Sequence, residues 1–312
     1  LMDPELAAAS VLMERPDIAD AAAARALALT LRETTSSAEE ETSGRVSVSE
    51  QLIPSSDPAT KMAVRIYNPV CGSPSITMPA VVFFHGGAFV LGDLESEHPR
   101  CLRYSADAEC VVVSVDYRLA PEHPFPAGPE DCYAALNWVS ENSSALHIDP
   151  SRVAVAGTSA GGALAAAVAL MARDRQGPKV ALQLLIYPVL DDSMTTQSMQ
   201  DFVDTPIWDN RNNRAMWKQY LAEPEAVSSY AAPFRAATLS GLPAAYILSA
   251  EFDPLRDEAI LYALRLLQSG VSVELHQVAG AYHGFDQQVA DAAISRRVLQ
   301  SQVQYLRQFL RA

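Results

Sequence analysis

The chain has 312 residues, enough to bury a large core, and a single α/β domain of that size is common. Its 37 acidic and 23 basic side chains give a formal net charge of −14, which argues against nucleic-acid binding and disfavours anionic membrane surfaces. No apolar run reaches membrane-spanning length, and Met2-Asp3-Pro4-Glu5 lacks the basic region and apolar core of a signal peptide, so a cytoplasmic protein is expected. Residues 3–32 carry apolar positions at helical spacing, broken at Pro16 and near Asp20, and read as two short helices. Residues 33–44, with Glu39-Glu40-Glu41, are polar and acidic and read as a mobile connection.

Strands follow. Arg45 to Ile53 and Lys61 to Tyr67 alternate in period two across Pro54-Ser55-Ser56-Asp57-Pro58, the pattern of an antiparallel pair. From Ala80 the grammar changes to short apolar runs: Ala80–Phe84, Val111–Val115, Val153–Ala156, Leu182–Ile186, Ala245–Leu248 and Val271–Leu275. Helical segments lie between most of them. Apolar strands alternating with helices predict an α/β fold with a mostly parallel sheet covered on both faces. Such sheets collect their chemistry at the C-terminal ends of the strands. More than fifty residues separate Tyr187-Pro188 from Ala245, including Trp208, Met216, Trp217 and Tyr220, and read as a helical insertion over that end. The last segment, Ala292 to Leu310, reads as a helix with Val298, Val303, Leu306, Phe309 and Leu310 on its apolar face.

The sharpest motif is Gly157-Thr158-Ser159-Ala160-Gly161-Gly162. It lies between the strand Val153–Ala156 and the Ala- and Leu-rich helix Ala163–Met171, the context that a nucleophile elbow requires. A side chain at Gly157 or Gly161 would collide with backbone in so tight a turn. Ser159 would then stand at a helix N-terminus, where a developing oxyanion is favoured. A serine hydroxyl needs a base, and the base needs an orienting carboxylate. Among six histidines, His283 follows the last strand in Gly280-Ala281-Tyr282-His283-Gly284-Phe285. His276 falls inside a strand, His147 in a loop, His98 at a helix start, His123 in a Pro-rich stretch and His85 at a strand end. Asp253 follows Tyr246–Ala250 and precedes the helix Ala259–Gln268, and its competitors Asp257 and Glu258 read as charges at that helix's start. The chain order Ser159, Asp253, His283 fits the nucleophile-elbow arrangement. An oxyanion hole would use the N–H of Ala160 and those of Gly86, Gly87 or Ala88, in the Gly-rich loop His85-Gly86-Gly87-Ala88. Cys71, Cys101, Cys110 and Cys132 form no Cys-x-x-Cys pair and have no histidine at zinc-finger spacing, so reduced thiols and no metal site are expected.

These motifs resemble the hormone-sensitive-lipase-like carboxylesterases of the α/β-hydrolase superfamily over about residues 60–310. The resemblance rests on His85-Gly86-Gly87-Ala88-Phe89, on Asp116 through Ala127, on Gly157 through Gly162, on Asp253 through Glu258, and on His283-Gly284-Phe285. Ala88 stands where the family's loop usually has a third Gly, and Thr158 where Asp is frequent, as in a bacterial Thr-bearing branch. The resemblance implies N-terminal cap helices (1–44), a core in two parts (45–188 and 236–312) and a cap insertion (189–235). It implies that Asp116-Tyr117-Arg118 and His123 support the oxyanion loop. It also implies hydrolysis of short to medium acyl esters, with no cofactor, on a small-molecule ester substrate. Phe89, Trp208, Leu255 and Phe285 are candidate pocket walls, and a homodimer through the last helix is a possibility. An amidase or peptidase on the same fold, or a non-catalytic ligand-binding relative, is the alternative.

Overall fold

The structure, a computed structural model, describes residues 1–13, 15–31, 42–70, 77–221 and 227–311. The connection read over 33–44, apart from its last residues, lies outside the described residues, as does Cys71. The described elements in chain order begin with α1 (Pro4–Ser10), α2 (Ala21–Leu31), β1 (Val46–Pro54), β2 (Lys61–Pro69) and β3 (Met78–Phe84). They continue with α3 (His98–Ala108), β4 (Val111–Val115), α4 (Ala127–Glu141), β5 (Ile148–Thr158), α5 (Ala160–Asp174) and β6 (Leu182–Ile186). The cap region supplies α6 (Gln197–Asp201) and α7 (Asn210–Tyr220), and the chain closes with β7 (Ala244–Phe252), α8 (Arg256–Gln268), β8 (Val273–Tyr282), α9 (Phe285–Gln288) and α10 (Ala293–Arg311).

The strands form an eight-stranded sheet in the order β1-β2-β4-β3-β5-β6-β7-β8. β1 and β2 run antiparallel at one edge, and the strands from β4 onward are mutually parallel. Alternation along the strands feeds two apolar layers. Ala80, Val82 and Phe84 of β3 face the layer shared with α5, while Val81 and Phe83 face the layer shared with α3 and α10. Burial on both faces explains why β4 and β6 are apolar at nearly every position. α5 lies against the centre of the sheet, and Ala160 through Ala172 are all buried.

Three expectations shift. Val271 belongs to a helix end and not to a strand: its N–H donates to Leu266 O, beside Gly270 at φ 79°, closing α8 in a Schellman turn. β8 instead runs on to Tyr282 as an edge strand, where exposed Glu274 and Gln277 broke the apolar signal. α1 docks on the sheet, not over the site: Leu6 is fully buried in the α10 layer and Asp3 N donates to Gly280 O. Val298, Val303, Leu306 and Leu310 of α10 are buried in its own core, while Phe309 is half-buried. Among the described residues no helix is long and apolar enough to cross a membrane.

One buried acid ties the antiparallel edge to the helical layer. Asp131 of α4 is fully buried and accepts from Ser56 N and Oγ and from Arg118 N, Nε and Nη2. Burial opposes its charge, yet the bonds from Arg118 and Ser56 hold its carboxyl below the ordinary range. Asp131→Ala is expected to cost about 3–5 kcal/mol by orphaning a half-buried guanidinium. Urea unfolding measures this, and a loss below about 1 kcal/mol would show that the cluster is not structural.

Candidate active site

β5 ends at Thr158 and α5 begins at Ala160, so Ser159 alone makes the turn, with φ 55° and ψ −117°. The turn is possible because two side chains are missing. A Cβ on Gly157 would lie 2.2 Å from Gly161 O, and one on Gly161 would lie 2.0 Å from Phe84 O. Ser159 N donates to Ile186 O (2.8 Å) and Ser159 O accepts from Val189 N (3.2 Å), so the end of β6 and the chain just after it grip the elbow on both backbone groups. Ala160 takes the first position of α5, where an N–H has no intrahelical acceptor.

Three chain segments converge there. The Ser159 hydroxyl lies 2.9 Å from His283 Nε2, and His283 Nδ1 lies 2.7 Å from Asp253 Oδ2. With the proton on Nδ1, His283 donates to Asp253 and leaves Nε2 free to accept from Ser159. Asp253 is fully buried, and its second oxygen accepts from Leu255 N at 2.9 Å, which fixes the carboxylate plane. The competitors are elsewhere. Asp257 accepts from Ser198 N in the cap. Glu258 is buried and accepts from Leu190 N (2.6 Å) and Asp191 N (3.3 Å), so it braces the chain leaving the elbow and is not an exposed charge at a helix start.

The Gly-rich loop reaches the elbow from β3. Gly86 abuts Thr158 and Ser159, since a Cβ there would stand 3.0 Å from Thr158 Oγ1 and 3.6 Å from Ser159 Cβ. Gly87 has φ 123°, and a Cβ would lie 2.0 Å from Leu91 O, so only Gly fits. Ala88 and Phe89 follow at φ 56° and 59°. Tyr117 stacks on His85 at 4.3 Å and its hydroxyl donates to His85 O (2.8 Å), supporting the loop from β4. His123 is solvent-exposed. Support also comes from Arg25 of α2, whose Nε donates to Val90 O (2.7 Å) and Nη2 to Ala120 O (2.9 Å), while Glu122 holds the guanidinium. That pair lowers the Glu122 carboxyl to about 2. The only sequence signal for Arg25 is that it is the one cation in an Ala-rich helix.

Of the wall candidates, Trp208 sits beside His283, 6.0 Å between ring centres. Phe89 stacks flat on Tyr220 of α7 at 3.8 Å and so joins the oxyanion loop to the cap. Leu255 is buried in the same layer. Phe285 is a correction: it is fully buried in the opposite layer, with Tyr282 and α10, because the chain turns down into the core straight after His283. Cys101, Cys110 and Cys132 are free and buried away from this cluster.

An alpha/beta hydrolase fold family model matches residues 81–287. Esterase LipI of Mycobacterium tuberculosis is 43% identical over 230 residues, covering 73% of this chain and 72% of its own. Carboxylesterase NlhH of the same species is 43% identical over 234 residues, covering 73% and 72%. Among solved structures, a bacterial heroin esterase superposes with a TM-score of 0.93 at 43% identity, over 100% of this chain and 98% of that one.

Burial pushes the Glu258 carboxyl well above its ordinary value, so it is protonated where the unfolded chain would ionise. Its contribution is then complete below the unfolded carboxylate range and is lost as pH rises toward the folded pKa, by up to about 1.4 kcal/mol per pH unit. Glu258→Gln removes that dependence. Its stability relative to the parent, from urea unfolding, is expected to rise between pH 5 and pH 7; a constant difference would mean that Glu258 is ionised in the fold.

Proposed function

This chain belongs to the hormone-sensitive-lipase-like family of α/β-hydrolases and is a carboxylic ester hydrolase, and we propose that it works through an acyl-enzyme on Ser159. The observation that carries the mechanism is the unbroken run of short contacts from the Ser159 hydroxyl through His283 to buried Asp253. Ser159 Oγ attacks the ester carbonyl while its proton passes to His283 Nε2. Asp253 stabilises the imidazolium and holds the ring in the productive tautomer. The N–H of Ala160, with those of Gly86, Gly87 or Ala88, receives the oxyanion, each donor contributing about 3–4 kcal/mol to the barrier reduction. His283 returns its proton to the leaving alcohol, and water repeats the sequence on the acyl group.

The substrates are short to medium acyl esters, as small soluble molecules. Two features support that range. Ala88 adds a methyl group beside the hole. The aromatic layer of Phe89, Trp217 and Tyr220, with Trp208 beside His283, closes the cap tightly over the elbow. Three buried reduced thiols support a cytoplasmic setting.

Hydrolysis of p-nitrophenyl esters from acetate to palmitate tests the reading, with Ser159→Ala in parallel. Turnover is expected to peak at short chains and to fall roughly 10⁴-fold or more in the variant. Turnover surviving in Ser159→Ala would overturn the mechanism, and a peak at palmitate would overturn the substrate range.

A further inference from the structure

Beneath the elbow lies a chain of buried polar side chains that the reaction does not use. The Thr158 hydroxyl donates to Glu97 Oε1 at 2.5 Å. The other oxygen of Glu97 accepts from Arg100 Nε at 2.8 Å, one turn along α3. Arg100 Nη1 donates to Gln302 of α10 (2.9 Å) and Nη2 to Asp286 (3.1 Å). The second oxygen of Asp286 accepts from the Tyr187 hydroxyl at 2.8 Å. The Tyr187 ring meets the His283 ring edge to face, 4.8 Å between centres. Glu97, Arg100 and Asp286 are at most 9% exposed. Burial opposes the charge on Arg100, but Asp286 and Glu97 outweigh it and keep the guanidinium charged.

The two ends of this chain are not random places. Thr158 immediately precedes the nucleophile, and its Oγ1 is also the atom against which Gly86 of the oxyanion loop rests. Asp286 is three residues past His283, and Tyr187 touches the imidazole itself. Burying one guanidinium between two carboxylates is a costly way to fill a core, and apolar residues of equal volume would do as well for stability. What ions offer is directional registry. We propose that Thr158–Glu97–Arg100–Asp286–Tyr187 is a single positioning unit that fixes the elbow and the His283 loop relative to each other. None of its members touches substrate. It acts by holding the Ser159–His283 contact within attack geometry, where an error of about 1 Å costs on the order of 100-fold in rate.

The inference rests on Ser159 and His283 being the reacting pair. The test is a double-mutant cycle on kcat and KM with a p-nitrophenyl ester, using Thr158→Val and Tyr187→Phe, which remove one hydroxyl from each end and spare the buried ion pairs. Each single variant is expected to lower kcat about 10-fold with KM unchanged. The double variant should lose little more than either single, because breaking either end releases the same unit. Thr158→Ser, which restores the donor, should recover most of kcat, while thermal unfolding shows every variant folded at the assay temperature. Multiplicative losses, unchanged kcat in the singles, or failure of Thr158→Ser to recover would each overturn the unit. Ser159→Ala separates the two claims: turnover surviving there defeats the active-site reading, whereas turnover lost there but unaffected in Thr158→Val defeats the positioning unit alone.

Discussion

The backbone of Ser159, held at φ 55° and ψ −117°, is the constraint on which the rest of the site depends. A residue with a side chain pays about 1–3 kcal/mol to stay in such a conformation. It stays because its surroundings leave nowhere else to go. β3 and β6 flank β5 in register, Ile186 O and Val189 N hold Ser159 on both backbone groups, and Phe84 O occupies the space that a Cβ on Gly161 would need. Ser159, the proposed nucleophile, is therefore placed by the sheet and not by a loop. Everything else at the site is an approach to that fixed point: His283 from the end of β8, Asp253 from the end of β7 and the Gly-rich loop from the end of β3.

Sequence reasoning reaches such a site as far as its parts are local. Gly157 and Gly161 announce a turn, Val153–Ala156 announces the strand before it, and the Ala-rich run announces the helix after it. Asp253 and His283 could be nominated because each follows an apolar run and lies near Gly or Pro. The limits were equally physical. Val271 looked like a strand residue because its apolar character serves a helix cap instead. Phe285 looked like a wall because it neighbours His283, but one backbone turn at Gly284 (φ 72°) sends it to the other side of the sheet. Arg25, Glu97 and Asp286 meet partners 61 to 186 residues away, and nothing in the local sequence points to those partners.

Buried carboxylates in this fold show how environment assigns roles to one chemical group. Asp131 is fully enclosed but receives five bonds, two of them from a guanidinium, and stays charged as a structural tie. Glu258 is equally enclosed but receives two backbone N–H bonds on one oxygen, and burial keeps it neutral. Asp253 is enclosed with one backbone donor and one imidazole, so its second oxygen faces only His283, the proposed base. Donor count and donor charge separate a clamp, a neutral brace and an orienter. That is why Asp257 and Glu258, both within five residues of Asp253, are poor substitutes for it.

The cap meets this fixed machinery through two kinds of contact. The stack of Phe89 on Tyr220 is an apolar contact between the Gly-rich loop and α7. Arg25 is different. Its guanidinium binds the carbonyl of Val90, directly beyond the strained residues Ala88 and Phe89, and that of Ala120, whose N–H donates to Phe89 O. Arg25 therefore ties α2 to the loop by charged bonds, while Phe89 ties α7 to it by a ring stack, and both contacts bear on the peptide planes proposed to present the oxyanion donors.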